Sequence, residues 1–170
     1  MASRLPTGIQ DFEKLRDLGL VYVDKTAAAW HLAQSGSPIF LSRPRRFGKS
    51  LLVSVLKYYW QGRRDLFEGY DFCALEDETS EPWVEHAVLH LDLGNDNYAL
   101  EGNLEKMLNN WLAEREAIYG CVGDGDEKLA FAGRFLRLIK SAGRQSGVVS
   151  SLSWTSTTSR SWTRLTMTLS

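Results

Sequence analysis

The sequence predicts an α/β fold in which helices flank a parallel sheet, and three observations carry that prediction. Short apolar runs that suit buried strands alternate along the chain with longer segments of helical periodicity. The stretch SRPRRFGKS (42–50) joins one such strand to a helix and ends in Gly-Lys-Ser. From residue 146 the composition changes abruptly, so we expect the sheet to be incomplete.

Composition places the chain among ordinary globular proteins. Its 170 residues, 44% hydrophobic and 24% charged, suffice for one domain with a buried core. The net charge of −1 gives no overall field that would favour nucleic acid or an anionic membrane. Cys73 and Cys121 lack metal-like spacing, and we interpret them as reduced, buried or incidental thiols of a cytoplasmic protein. Because no apolar run approaches roughly 20 residues, we expect no membrane partner.

The N-terminal third predicts two helices around a short connection. Apolar residues recur at three-residue steps through 9–19, and Gly19 is a plausible helix end. LVYVDKT (20–26) suits a short strand or a turn. Thr26 is a candidate N-cap for a second helix that ends near Gly36.

The following segments supply the alternating strands and helices. PIFLSR (38–43) is a candidate buried strand, and the helix 48–62 follows it. We predict a second strand at 87–94, a third at 147–149, and helices over 98–119 and 128–144. The predicted apolar face of helix 48–62 is Leu51, Leu52, Val55, Leu56 and Tyr59, and that of helix 98–119 is Leu100, Leu104, Met107, Leu108, Trp111, Leu112 and Ile118.

The stretch 42–50 resembles the phosphate-binding pattern G-x-x-x-x-G-K-[ST], although Arg43 replaces its first glycine. In such a loop backbone N–H groups wrap the phosphates at the positive end of the helix dipole. Lys49 would reach the β- and γ-phosphates and Ser50 would ligate Mg²⁺. Pro44 fixes φ and lacks an N–H, so we expect a stiffened loop that keeps its later donors.

We therefore predict a Mg²⁺-dependent ATP or ADP site in this loop. Arg45 and Arg46 add guanidinium donors suited to phosphate oxygens. A helix N-terminus with a coincidental Gly-Lys-Ser is the alternative interpretation. The predicted binding residues are Arg45, Arg46, Phe47, Gly48, Lys49, Ser50 and Leu51, with Ser50 also the metal ligand.

The tail (146–170) has a different composition from the rest of the chain. Fourteen of its 25 residues are Ser or Thr, and it contains no Asp, Glu or Lys. A flexible linker is one interpretation, and a reading-frame shift is another. If each shifted codon takes the last base of one codon and two bases of the next, Trp154-Thr155 must yield aspartate. Synonymous codons for 152–169 permit VVDEYDKPLLDTLDNDPL, an apolar strand ending in Asp-Glu.

Three blocks of the sequence resemble the bacterial and archaeal AAA-ATPase-like proteins. They are LPTGIQDFEKLRDLGLVYVDKT (5–26), IFLSRPRRFGKSLLVSVLKYYWQGRRDLFEG (39–69) and VLHLDLG (88–94). That family normally carries SRPRRFGKS, so the resemblance makes Arg43 usual. It implies a P-loop NTPase fold, ATP as ligand, and a following VVLIDEYDKPL block like the shifted tail.

The resemblance also divides the chain and sets its expected activity. Residues 1–145 would form the N-terminal part of the ATPase domain, and 146–170 an aberrant or disordered tail. Full-length relatives typically continue into a PD-(D/E)XK nuclease-like domain, which implies a possible nucleic-acid partner. Without the acidic strand we expect nucleotide binding with impaired hydrolysis. The alternatives are a nucleic-acid-associated module or a non-functional fragment, and the oligomeric state stays open.

A few other residues have both a functional and a structural interpretation. Asp24 and Lys25 match a family block, but a surface ion pair or turn is the simpler role. Gly8 and Ile9 could pack against an adenine ring or simply begin a helix. Asp92 could contact Mg²⁺-bound water or cap the following loop. The structural role is expected for six further residues: His31, His86 and His90 as isolated histidines, and Tyr59, Trp60 and Trp111 as core.

Overall fold

The computed structural model describes residues 5–35, 39–41, 44, 47–79, 83–92, 101–121, 131–146, 151–155 and 164–166, the last two ranges as backbone only. This part of the chain is mostly helical, with a small sheet. Its helices are α1 (Phe12–Asp17), α2 (Thr26–Ala33), α3 (Lys49–Trp60), α4 (Asp71–Glu78), α5 (Asn103–Ile118) and α6 (Phe131–Ser146), with a 3-10 helix at Arg64–Phe67. Its strands are β1 (Ile39–Phe40), β2 (Val88–Asp92), β3 (Ser151–Thr155) and β4 (Arg164–Thr166).

Helix α1 is shorter than the predicted 9–19 because its N-cap lies at Asp11. The Asp11 carboxylate accepts a hydrogen bond from Lys14 N at 3.0 Å, which satisfies a backbone donor of the first turn. Phe12 and Leu15 are completely buried. Gly19 follows the helix with a φ of 58°, which confirms the predicted end.

The predicted capping role of Thr26 is wrong. Thr26 is the first residue of α2, and Lys25 occupies the N-cap position without a side-chain cap. The Thr26 side chain is buried, and its hydroxyl accepts a hydrogen bond from Phe72 N at 3.0 Å. Packing against α4 therefore takes the hydroxyl away from its own helix. Residues 20–25, predicted as a strand or turn, are an irregular connection.

Helix α3 confirms the prediction for 48–62 and lies at the centre of the larger core cluster. Val55 and Leu56 of the predicted face are fully buried, while Leu51, Leu52 and Tyr59 are half-buried against the same cluster. The helix also buries Val53, Tyr58 and Trp60, because α1, α2 and the sheet surround it on several sides. The core position of Trp60 and Tyr59 is confirmed.

The segment after α3 is held by ion pairs of Arg63 and Arg64 and continues into the 3-10 helix. Both arginines are partly exposed, but Arg63 pairs with Glu13 at 2.6 Å. The 3-10 helix buries Leu66 and Phe67. Helix α4 was not predicted, because its mostly polar sequence DFCALEDE lacks an extended apolar period.

The sheet has the order β1–β4–β3–β2. Strands β2 and β3 are parallel, with Val88 opposite Ser151 and Asp92 opposite Thr155. Strand β4 is antiparallel to both β1 and β3, so only the β2–β3 pair of the predicted parallel sheet is parallel. The eight residues between β3 and β4 are too few for a parallel crossover, which needs about a dozen. The predicted strand 147–149 lies outside the described residues.

Helices α5 and α6 pack together beside β2. Trp111 and Leu112 are buried as predicted, whereas Leu104 and Ile118 are exposed because they lie near the ends of α5. Helix α6 continues to Ser146 instead of ending at Gly143. Of the helices in the described ranges, none has both the length and the apolar composition needed to cross a bilayer.

Candidate functional site

The candidate site is the loop between β1 and α3, and Gly48 sets its geometry. Gly48 is the N-cap of α3 and has φ 73° and ψ 18°, in the left-handed region. A side chain there would strain the backbone, so glycine suits this position for a conformational reason. Its carbonyl accepts the hydrogen bond from Leu52 N at 2.9 Å, which begins the helix. The glycine turn thus exposes the N-terminus of α3.

Lys49 folds back across this loop. Its ammonium Nζ donates a hydrogen bond to the Pro44 carbonyl oxygen at 3.2 Å, five residues earlier in the chain. Pro44 is exposed and Lys49 is half-buried. The contact places the Lys49 ammonium beside Pro44, close to the N-terminus of α3.

The remaining predicted binding residues divide between described and undescribed positions. Ser50 and Leu51 are half-buried in the first turn of α3, and Leu51 packs against the core. The Phe47 side chain is 62% exposed. Arg45 and Arg46 lie outside the described residues.

The helix that carries the site is fixed to α1 by buried polar contacts. Ser54 Oγ accepts a hydrogen bond from Phe12 N at 2.9 Å and donates one to the Leu51 carbonyl at 2.8 Å. The Tyr58 hydroxyl donates to Asp11 at 2.9 Å. Ser50, Ser54 and Tyr58 recur every four residues and therefore share one face of α3. Helix α1 thus anchors this face of α3 below the loop.

Asp24 has the structural role, since it binds backbone N–H groups. It accepts hydrogen bonds from Thr26 N at 2.8 Å and from Asp71 N at 3.0 Å. Partial burial raises the pKa of Asp24, but these hydrogen bonds outweigh it, and the pKa lies below its usual value. Asp24 and Thr26 together cap the first turn of α4, whose own N-cap residue, Tyr70, makes no side-chain cap.

Asp92 is exposed at the carboxyl end of β2. Strands β1, β3 and β2 run in the same direction. The carboxyl end of β2 therefore lies on the same side of the sheet as the carboxyl end of β1, where the loop begins. However, β4 and β3 intervene, and three strand spacings amount to about 14 Å. This spacing separates Asp92 from β1, whereas α3, the helix that carries Ser50, contacts β3 and β2.

His90, two residues before Asp92, is a half-buried imidazole. Within the described part of the molecule, its buried Nε2 has no hydrogen-bond partner. Burial lowers its pKa below 6.5, Lys57 and Arg115 act in the same direction, and Asp92 opposes them. The lowered pKa favours the neutral ring, and the Nε2 without a partner among the described residues differs from the satisfied or exposed histidine that the sequence favours.

Among the described residues, no group of three or more His, Cys, Asp or Glu side chains is arranged to hold a metal ion. Magnesium needs no such cage, because it is usually held by few protein ligands together with phosphate oxygens and water. The Ser50 hydroxyl in the first turn of α3 fits that limited requirement.

Comparison with known protein families decides the relationship of this chain. A sequence model described as Predicted AAA-ATPase (AAA-ATPase_like) matches residues 6–150. The chain belongs to this AAA-ATPase-like family. The match includes the loop 42–50, α3 and the Asp24 turn, and it ends within the region where the composition changes.

One similar protein is known from Azotobacter chroococcum mcd 1, described as an uncharacterized protein in the vnfD 5′ region. It is 35% identical over 148 residues, which cover 86% of this chain and 28% of that protein. The chain therefore spans less than a third of its relative's length. No solved structure matches the sequence. The nuclease-like domain and its nucleic-acid partner stay predictions about longer relatives.

Sequence reasoning missed the buried carboxylate that joins three helices of this AAA-ATPase-like chain. Glu76 of α4 is 4% exposed and accepts hydrogen bonds from Trp30 Nε1 at 2.7 Å and from the Tyr59 hydroxyl at 3.0 Å. These contacts tie α2 and α4 to α3. A glutamate in a polar segment gives no sign of such a role, because its donors come from distant parts of the chain.

Proposed function

We propose that this chain binds the phosphates of ATP or ADP at the loop before α3 and hydrolyses ATP poorly or not at all. The position of Lys49 carries the proposal. Its ammonium lies over the loop on the Pro44 carbonyl, at the end of α3 where the first N–H groups lack partners within the helix. Membership of the AAA-ATPase-like family supports the same ligand.

Gly48, Lys49 and Ser50 would contribute to phosphate binding in different ways. The left-handed turn at Gly48 lets the backbone approach an anion closely, and the dipole of the 12-residue α3 favours negative charge there. The Lys49 ammonium has three N–H donors, and in the proposed complex it would direct donors to phosphate oxygens. The Ser50 hydroxyl would hold Mg²⁺, which neutralises phosphate charge when bound.

Arg45 and Arg46 belong to the proposal on sequence grounds alone. Their guanidinium groups would add charge-assisted hydrogen bonds to the same phosphates. Phe47 would contribute its backbone N–H, because its side chain is directed towards solvent.

The proposed weakness in hydrolysis follows from the missing acidic partner of the loop. Phosphoryl transfer to water requires groups that hold the metal ion and orient the attacking water. The tail contains no Asp or Glu, so it cannot supply this group.

Calorimetric titration of the full chain with Mg²⁺–ADP tests the binding proposal. We expect the unmodified chain to bind and Lys49→Ala to bind about 10- to 100-fold more weakly, since hydrogen bonds to charged groups contribute about 1.5–3 kcal/mol. Lys57→Ala is the matched control, because Lys57 lies on the same helix with its ammonium over the Tyr58 ring. It should leave ADP affinity unchanged.

Two results would contradict the proposal. The first is no detectable binding by a chain that melts cooperatively. The second is an equal loss of affinity in Lys49→Ala and Lys57→Ala, which would show that the lysine in the loop has no special role.

A further inference from the structure

We propose that the exposed face of helix α5 is a dimer interface, on which a second copy of this chain packs its own α5 in the antiparallel direction. The residues of this face are all exposed and recur at steps of three or four along the helix: Lys106, Asn110, Ala113, Glu114 and Ala117. The buried residues of α5 lie elsewhere around the helix, towards the core cluster that α5 shares with β2 and α6. The interface lies on a different helix from the loop before α3 and does not depend on nucleotide binding.

The charges on this face complement each other under a two-fold rotation. Lys106 and Glu114 lie four residues on either side of Asn110. In an antiparallel pair centred at Asn110, Lys106 of one copy faces Glu114 of the partner subunit, and the symmetry forms this ion pair twice. Parallel packing would instead place each charge beside its own copy, which is unfavourable. Among the described residues, neither side chain has an ion-pair partner, so both are available to a second copy.

The surface also has the shape for a partner helix. An open hollow of about 380 Å³ runs along α5, and its lining includes Asn103, Lys106, Met107, Asn110, Trp111 and Glu114. In the antiparallel pairing, the small Ala113 faces the larger Met107 of the partner subunit, so the two helices can approach closely. Ile118, which is 61% exposed, would lie opposite Gly102 of the partner subunit. Gly102 has no Cβ, and the space where a Cβ would stand is open.

Asn110 lies at the two-fold axis of the proposed dimer. Its amide carries both donors and an acceptor, so the amides of the two copies can hydrogen-bond to each other. A single polar residue in a helix interface fixes the register and orientation of the helices. One face of a 16-residue helix buries less than the standard interface of about 1,600 Å², so we expect a weak dimer in exchange with the monomer.

Charge reversal tests the pairing in the full chain. Sedimentation velocity at increasing protein concentration gives the dissociation constant of the dimer for the unmodified chain, Lys106→Glu, Glu114→Lys and the double variant. Each single variant creates two like-charged pairs, so its dissociation constant should rise at least about tenfold. The double variant exchanges the two charges and should return to within about threefold of the unmodified chain. Lys140→Glu, the same change at an exposed position of α6, is the control and should have no effect.

A cysteine at the axis tests the geometry independently. Asn110→Cys brings two thiols together only if the helices cross at this residue, since a disulfide requires Cα atoms within about 7 Å. We expect mild oxidation to give a covalent dimer, whose disulfide mass spectrometry assigns to position 110 of both copies. Lys140→Cys should give no disulfide between copies at position 140. Cys73 and Cys121 are present in both variants and therefore do not distinguish them.

The outcomes are distinct from those for the nucleotide site, because no ligand is added. A chain that stays monomeric at every concentration would overturn the inference. So would a dimer that both single variants leave unchanged, or one that the double variant fails to restore although its melting temperature equals that of the unmodified chain. Restored association in the double variant, together with the disulfide at position 110, would support the antiparallel interface.

Discussion

Single residues in this chain have the roles that their surroundings impose. Gly48 suits a backbone conformation with φ 73°, and the ammonium of Lys49 donates a hydrogen bond to the Pro44 carbonyl. Asp24 has the charge of a ligand-binding residue but uses it on the backbone of α4. The role of such a carboxylate is therefore assigned from its hydrogen-bond partners, since residue type alone fits both roles.

At the residue scale, His90 predicts how stability depends on pH. Its pKa is lowered in the folded protein, chiefly by burial, from 6.5. Below that pH the unfolded chain takes up a proton that the folded protein resists, so stability falls as the pH falls. We expect a lower melting temperature at pH 5.5 than at pH 7.5, and a smaller difference in His90→Phe. The exposed His31 is the control, and His31→Asn should retain the full difference.

Helices in this protein are fixed by contacts between elements as much as by their own sequences. Helix α4 receives its N-terminal cap from residues 24 and 26, more than 40 positions earlier. In α3, the hydroxyl of Ser54 accepts a hydrogen bond from Phe12 N. The helices α1 and α2 are thus fastened to the same scaffold by polar contacts that no local periodicity shows.

At the element scale, removing the cap from α4 should destabilise the fold. Asp24→Ala loses the acceptor for Asp71 N and Thr26 N, and we expect a loss of about 1 kcal/mol, as for other helix caps. Asp24→Asn should lose less, because its amide oxygen still accepts. Urea denaturation measures both variants.

The matched control for this cap is Asp17→Ala, which removes an exposed carboxylate from the last residue of α1. It should change stability by less than about 0.5 kcal/mol, as surface substitutions usually do. If Asp24→Ala and Asp17→Ala were equally stable, the cap would contribute nothing.

For the whole molecule, the frame-shift hypothesis concerns the segment after residue 145, where it would place an acidic partner for the loop. The backbone of 151–155 lies parallel to β2 and ends opposite Asp92. This end is on the same side of the sheet as the carboxyl end of β1, where the loop begins. The frame-shift hypothesis places the forced aspartate at Trp154-Thr155, which is the end of this strand. The hypothesis stays a prediction, and reading the gene in all frames across codons 145–170 tests it.

At this scale we predict that the chain shows no Mg²⁺-dependent ATP hydrolysis above that of Lys49→Ala. The reason is that its tail supplies no carboxylate for the metal ion or the attacking water. Release of phosphate from ATP measures this directly. Turnover that Lys49→Ala abolishes would show that the acidic tail is unnecessary.

Much of the site could be predicted from the sequence because its signals are local. A strand, a glycine that allows positive φ and a helix succeed one another within the range 39–60, so the loop and α3 need no tertiary information to be recognised. Family membership follows from similarity over 6–150. These features depend on order along the chain, which the sequence states directly.

The tertiary structure alone decided which polar residues are internal and how the strands pair. Glu76 is buried and accepts hydrogen bonds from Trp30 and Tyr59. Glu116 is buried in an ion pair with Arg134 at 2.6 Å. Glutamate and arginine are residue types that also occur on protein surfaces. The antiparallel β4 depends likewise on which strands meet in the sheet. The physical reason is the same in each case. Hydrogen bonds and ion pairs between distant segments form only when the whole chain packs, so no local pattern records them.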